Sequence, residues 1–401
     1  MHWFILGRET LLSAAEIAAV THHHPESISG SILKLDQPIN PVIIRRLGGT
    51  IKIGEEIASE LTVDELKEKM AAALAGMTGK IHFGVSIYST RESALSIDER
   101  LGLEVKKELK KTGKSVRFVE GKHGTLNSAQ IKYNKLIDKG AEFLVEVVDK
   151  KFNLARTIAV QDVDEFSARD FGRPGRDDLS GMLPPKLAMM LINLAQAAPD
   201  DVILDPFCGS GTILSEAMLM GYKNLIGADI SEKAIEDTKK NIEWIHTRCH
   251  SPYNCHSERH AYRQAGSEES PIVNLKLLKN DVVKLSSILS SHSIDTIITE
   301  PYLGKPLRGN ETETQIRAQA KELKKLYLSA FEQFAKILKP NGQIVFIFPR
   351  FKLKNDWARI DIKNEVKKIG FSAVPLLPQH EFLLYARPDQ KVGREIWRFT
   401  R

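Results

Sequence analysis

Four acids close four apolar runs in the second half of this 401-residue chain: Asp205 after Val202-Ile203-Leu204, Asp229 after Leu225-Ile226-Gly227-Ala228, Asp281 after Leu275–Asn280, and Glu300 after Ile297-Ile298-Thr299. Runs of this length bounded by turn residues read as buried strands, and the intervening segments carry helical spacing. Open sheets of alternating strands and helices bind ligands at the carboxyl ends of their strands. Four carboxylates at four such ends therefore describe one ligand cleft. Behind the first lies Asp205-Pro206-Phe207-Cys208-Gly209-Ser210-Gly211-Thr212, a strand end, a Gly-rich turn and the opening of a helix. Glycine there permits positive φ and close approach of a ligand to the backbone. The helix start contributes N–H groups with no intrahelical partner.

Three nucleotide chemistries compete for such a turn. A dinucleotide fingerprint needs a glycine three residues after Gly211, where Leu214 stands. A phosphate loop needs a lysine that this turn lacks. The Gly113-Lys114-Ser115 triplet elsewhere has Glu108 in place of the leading glycine. S-adenosylmethionine remains, with Asp205 near its cationic amino-acid end, Asp229 on the ribose diol and the Asn280-Asp281 pair on the adenine edge. The expected cofactor set is Asp205, Phe207, Gly209, Gly211, Thr212, Asp229, Ile230, Asn280 and Asp281.

The elements that position these residues follow from the pattern. From residue 201 onward strands and helices alternate, which predicts a parallel doubly wound sheet. It ends in a hairpin of Phe382–Tyr385 with Arg394–Phe399, and a long helix spans about Glu322 to Leu338. Residues 1–165 read as a separate α/β region without a catalytic cluster. Within it, Ile97 to Lys111 is a basic amphipathic helix and Asn127 to Ile137 is helical. Residues 166–182, with Arg169-Asp170-Phe171-Gly172-Arg173-Pro174-Gly175, have a connector's composition, and residues 183–401 form the cofactor domain.

Composition is that of an ordinary globular protein, 42% hydrophobic and 27% charged, and no apolar run approaches the length of a membrane span. Three cysteines cannot frame disulfides, and the first residues carry no basic lead, so a cytoplasmic protein is expected. Charge is uneven. Between Leu101 and Gly140 ten basic residues face four acids, so this stretch alone carries the net +6 of the chain. Lys106, Lys107, Lys110, Lys111, Lys114, Arg117 and Lys122 there form either a polyanion-binding surface or a solvated helix face.

Taken together, Leu6-Gly7-Arg8 with Leu12–Ile17, the segment from Arg169 through Leu183-Pro184-Pro185-Lys186, and Asp205–Thr212 resemble the THUMP-domain RNA methyltransferases. The nearest likeness is to the tRNA guanine-10 N2-methyltransferase family. The resemblance implies ferredoxin-like and THUMP parts that grip tRNA, followed by a Rossmann-like class I methyltransferase domain that uses S-adenosylmethionine. It also implies catalytic roles for Glu300, Pro301 and Tyr302. In that family the tetrapeptide after the fourth strand is Asp/Asn-Pro-Pro-Tyr/Phe, whereas this chain reads Glu300-Pro301-Tyr302-Leu303. An acid and a backbone carbonyl hold the target amine and the aromatic ring stacks on its base, so an extra methylene on the acid matters. Other readings keep the chemistry but move it to adenine N6 or a ribosomal guanine, or keep RNA binding without turnover. Finally, the segment His246–Ser270 contains Cys249, His250, Cys255 and His260, ligand types for zinc in a Cys-x5-Cys spacing that fits no common zinc pattern.

Overall fold

The computed structural model describes residues 1–23, 25, 27–88, 95–176, 182–250, 273–387 and 390–401. The chain divides into two units, Met1–Ala18 with His23–Phe166, and Ala19–His22 with Ser167–Arg401.

Among the described residues the strands of the first unit are β1 (His2–Leu6), β2 (Ser27–Ser29), β3 (Ile32–Leu35), β4 (Thr50–Leu61), β5 (Lys80–Tyr88), β6 (Ser115–Val119), β7 (Gly140–Val148) and β8 (Lys151–Val160). They form one sheet in the order β2-β3-β1-β4-β8-β7-β5-β6. Period-two alternation buries Ile81, Phe83, Val85 and Ile87 of β5. Against them pack Leu66, Met70 and Leu74 of helix Val63–Ala75 and Leu101, Val105 and Leu109 of helix Leu95–Lys111, each set spaced by four to face the sheet. Thr62 and Glu65 cap the first of these helices reciprocally. The buried Lys52–Glu142 pair is supported by hydroxyl donors from Ser86 and Thr157, each 2.6 Å from the carboxylate. Such support is what a charge pair away from water requires. The helix expected over Asn127–Ile137 stops at Tyr133: Asn134 donates its side-chain amide to the Gln130 carbonyl (2.8 Å), and Lys135 turns left-handed at φ 54°.

Among the described residues the strands of the second unit are β9 (Val202–Asp205), β10 (Asn224–Asp229), β11 (Asn274–Lys279), β12 (Ile294–Thr299), β13 (Leu338–Lys352), β14 (Trp357–Ala358), β15 (Ser372–Val374), β16 (Phe382–Tyr385) and β17 (Val392–Thr400). Their order is β11-β10-β9-β12-β13-β17-β15, with β14 on β13 and β16 on β17. Strands β9 to β13 are parallel, whereas β14, β15, β16 and β17 pair antiparallel, so the sheet is mixed rather than wholly parallel. The expected hairpin is present as Tyr385 opposite Arg394 and Phe382 opposite Trp397. Succession runs outward from β9 to β10 and β11 on one side, then returns to β12 on the other. That reversal opens a crevice at the carboxyl ends of β9 and β12.

The long helix begins at Glu313, not near Glu322, because Thr312 and Gln315 form a capping box ahead of a polar first turn. Its Tyr327, Phe331 and Phe334 are fully buried against Phe346, Phe348, Phe371 and Phe399. Residues 339–342 lie inside β13, where Asn341 at φ 63° accompanies a register shift against β12. The stretch 166–182 starts as helix, since Phe166–Phe171 belong to Val163–Phe171, and Gly175 then packs against Asn241. No helix among the described residues is long and apolar enough to cross a membrane.

Candidate functional site

Local geometry begins with the turn after β9. Gly209 and Gly211 both take positive φ, 53° and 77°. A β-carbon on Gly211 would stand 2.6 Å from Thr238, whereas one on Gly209 would meet nothing within 4 Å. The first glycine thus faces open space and the second lets the turn press against the next helix. Cys208 donates its N–H to the Ala228 carbonyl (2.9 Å) and Gly209 donates to Asp229 Oδ2 (3.0 Å). These bonds tie the turn to the end of β10.

Asp205 is 2% exposed and accepts from the Thr299 hydroxyl (2.7 Å) and the Phe207 N–H (3.2 Å). Burial, with smaller contributions from the like charges of Asp229 and Glu300, pushes its pKa up to about 7. Burial likewise pushes the Cys208 thiol well above its ordinary range, so it stays protonated and is a poor nucleophile. Phe207 packs partly buried against the core beneath the turn.

Asp229 uses its second oxygen to accept from Ser231 N–H (2.8 Å), leaving each oxygen a further lone pair. Next to it Ile230 is 70% exposed, an apolar surface left open among the described residues. Asn280 donates its N–H to the Asp229 carbonyl (2.9 Å), and its side-chain Oδ1 is buried without a donor among the described residues. Asp281 instead caps the short helix Val282–Ser287 through the Val283 N–H (3.2 Å). Of the polar pair that ends β11, Asn280 is therefore the one with an unmet hydrogen bond.

Glu300, Pro301 and Tyr302 follow β12 directly. Pro301 is buried, and its carbonyl accepts no hydrogen bond among the described residues. Tyr302 is 52% exposed, while its carbonyl accepts from the buried Tyr327 hydroxyl (2.7 Å), which anchors the loop to the core. Glu300 pairs through Oε1 with Arg394 Nε (2.5 Å).

Three side chains, those of Arg173, Asn241 and Arg394, were not among the expected site residues. Arg173, 6% exposed, donates Nη1 to the Thr212 hydroxyl (2.5 Å) at the start of helix Thr212–Leu219, while its Nε and Nη2 are buried without acceptors among the described residues. Asn241 stitches the same segment to the turn, donating to Gly175 and Ser210 carbonyls at 2.8 Å each. Arg173 stands among charged, Gly-rich residues that signal a connector. Arg394 lies in a strand with nothing local to mark it. Cys255 and His260 lie outside the described residues, as do the side chains of Cys249 and His250, and among the described residues no cluster could hold a metal. A surface depression lined by Val202, Asn224, Ile226, Lys276 and Ser293 lies at the amino ends of the same strands, away from every candidate residue.

In the first unit the basic residues sit on helix Leu95–Lys111 and around β6, the sheet's edge strand. Lys114 donates to the Ala75 and Met77 carbonyls (2.7 and 3.0 Å) and Lys111 pairs with Glu108 (2.7 Å). Lys107, Lys110, Arg117 and Lys122 are exposed and unpaired among the described residues.

Residues 173–373, half of the chain, match the RMKL-like methyltransferase domain. A tRNA (guanine(10)-N2)-dimethyltransferase of Methanocaldococcus jannaschii is 29% identical over 203 residues, covering 49% of this chain and 48% of its own. One of the same description from Methanothermobacter thermautotrophicus is 41% identical over 98 residues, 24% of this chain and 28% of its own. The chain thus spans at most about half the length of these two relatives. Among solved structures, TrmN from Thermus thermophilus superposes with a TM-score of 0.51 at 16% identity over all of both chains. A possible methylase from Clostridium difficile gives 0.52 at 14% identity, covering 99% of this chain and 97% of that one. These two likenesses establish the fold, a methyltransferase-type sheet preceded by an α/β unit. By the match over half its length, the chain belongs to the RMKL-like methyltransferase domain family.

Proposed function

We propose that the protein is an S-adenosylmethionine-dependent RNA methyltransferase acting on the exocyclic N2 of a tRNA guanine. The observation that carries the reading is the pairing, at the ends of adjacent strands β9 and β12, of a buried acid with a second acid followed by an exposed aromatic residue: Asp205 and Glu300-Pro301-Tyr302.

The residues present fit the cofactor. Asn280 Oδ1 is a buried acceptor lacking a donor, which an adenine amino group supplies. The free lone pairs of Asp229 suit a ribose diol, and Ile230 offers the adenine an apolar face. At the amino-acid end Asp205 suits the ammonium, while Arg173 has two unpaired donors for the carboxylate. When bound, the cofactor supplies an electrophilic methyl group on a sulfonium.

The chain's own residues then aim the nucleophile. The Glu300 oxygen not engaged by Arg394 and the Pro301 carbonyl accept the two hydrogens of the amine, which directs its lone pair at the methyl carbon. Glu300 would offset the positive charge that grows on the nitrogen as it takes up the methyl group, and its free oxygen would pass the released amine proton on to water. Tyr302 stacks on the guanine, which must leave its helix to reach the loop. With Cys208 protonated and buried, no enzyme–methyl intermediate forms on it.

The substrate assignment rests on the two archaeal relatives, whose names specify tRNA guanine 10 and dimethylation. In this reading the first unit, with the ferredoxin-like and THUMP likeness of residues 1–165, grips the tRNA through Lys106, Lys107, Lys110, Arg117 and Lys122, and the enzyme works in the cytoplasm. Residues 166–182 connect it to the catalytic part, 183–401. Labelled methyl transfer to unmodified tRNA, with product nucleosides identified by mass spectrometry, tests it. N2-methylguanosine or its dimethyl form is expected. N6-methyladenosine contradicts the choice of base, and no transfer despite binding of both ligands contradicts turnover.

A further inference from the structure

The carboxylate at Glu300 is not free to swing. Arg394 Nε meets its Oε1 at 2.5 Å, and both side chains are only 12% exposed. Arg394 is itself held on both sides within the sheet. In the pairing of β17 with β13 it stands opposite Pro349, and in the pairing with β16 it stands opposite Tyr385, whose ring centroid is 6.0 Å from the guanidinium. Strand β17 is separated from β12 by β13, so an arginine two strands away fixes the acid at the end of β12. The charges facing Glu300 are therefore Arg394 from β17 and the neighbouring acid Asp205 from β9, with the buried hydroxyl of Tyr327 close enough to feel its charge.

A glutamate has one more rotatable bond than the aspartate or asparagine of the family pattern, and an unrestrained one would sample many orientations. The ion pair removes that freedom before substrate arrives. It occupies one oxygen and leaves the other as an acceptor in a fixed position, the preorganised arrangement that amine activation needs. We infer that Arg394 is the positioning residue that makes a glutamate competent at this place: Glu300 and Arg394 work as one unit, in which the longer acid reaches the arginine and the arginine sets the direction of the free carboxylate oxygen. This inference rests on the proposed methyltransferase reading of the same site.

Single-turnover methyl transfer under saturating S-adenosylmethionine separates the possibilities. Arg394→Gln should lower the rate about 100-fold, with cofactor and tRNA affinity unchanged, and Arg394→Lys should recover part of the loss. The double variant Glu300→Gln/Arg394→Gln should be no slower than Glu300→Gln alone, because residues acting as a unit are not additive. Glu300→Asp, which restores the acid of the family pattern but withdraws it from Arg394, should be slower than the parent chain. Should Arg394→Gln fail to fold, Arg394→Lys and Glu300→Asp carry the test alone. Additive losses in the double variant, a Glu300→Asp variant faster than the parent, or an Arg394→Gln variant of full activity would each overturn the inference while leaving the enzyme reading intact. A parent chain that binds both ligands and transfers nothing would overturn the two together.

Discussion

A carboxyl group sealed from water beside two other acids is a poor place for a charge, and Asp205 occupies such a place. With its pKa near 7, it is largely neutral at pH 6 and ionised at pH 8. A cationic ligand end requires the ionised form, so binding must remove a proton wherever Asp205 still holds one. Affinity for S-adenosylmethionine is therefore predicted to weaken as pH falls below about 7, approaching tenfold per pH unit, and to level off above it. Calorimetric titration from pH 5.5 to 8.5 checks this, with Asp205→Asn giving weak binding and a flat profile. For stability the sign is opposite. A carboxyl whose pKa is raised in the folded state stabilises the protein at low pH, and that contribution fades as pH rises from about 4 to about 7. The three acids at the ends of β9, β10 and β12 were legible because each closes an apolar run before a turn. Their partners were not. Thr299 reaches Asp205, and Arg394 reaches Glu300, across 94 positions each, and no local pattern encodes a contact that only the assembled sheet creates.

At the level of the element, the turn between β9 and helix Thr212–Leu219 divides its labour between two glycines. Alanine at Gly211 combines a left-handed backbone with a clash at 2.6 Å, and is predicted to cost about 2–4 kcal/mol. Alanine at Gly209 carries only the backbone penalty of about 1–2 kcal/mol, since its methyl would enter open space. Thermal melts of the two variants should rank Gly211→Ala below Gly209→Ala. Cofactor titration should show Gly209→Ala binding more weakly than its stability alone explains, because that open space is where the ligand approaches. The alternation of strand and helix from residue 201 was readable for the same reason that this turn was: buried strands leave dense apolar runs. Polar beginnings hide elements. The first turns of helix Glu313–Ile337 carry few apolar residues, and β15 is three residues long, so neither announces its extent.

Across the whole molecule, charge separates the two tasks. The net positive charge gathers in the stretch from Leu101 to Gly140 of the first unit, while the acids of the cleft belong to the second. The double variant Lys110→Glu/Arg117→Glu is predicted to weaken tRNA binding at least tenfold and to reduce the slope of log affinity against log salt by about one per lost phosphate contact. Its affinity for S-adenosylmethionine should be unchanged. Filter binding at several salt concentrations beside calorimetry checks both. Composition and spacing located this basic stretch, but not how its charges are used. Lys114 hydrogen-bonds the carbonyls at the end of helix Val63–Ala75, a role fixed by packing and invisible in a list of lysines.

In the proposed reaction Glu300 orients an amine for transfer within a site that binds cofactor independently of it. Single-turnover methyl transfer to unmodified tRNA by the parent chain and by Glu300→Ala, with cofactor affinity measured on both, tests it most directly. The prediction is N2-methylguanosine from the parent, a rate at least about 100-fold lower from Glu300→Ala, and equal affinity for S-adenosylmethionine. Undiminished transfer by Glu300→Ala would rule out that role for Glu300.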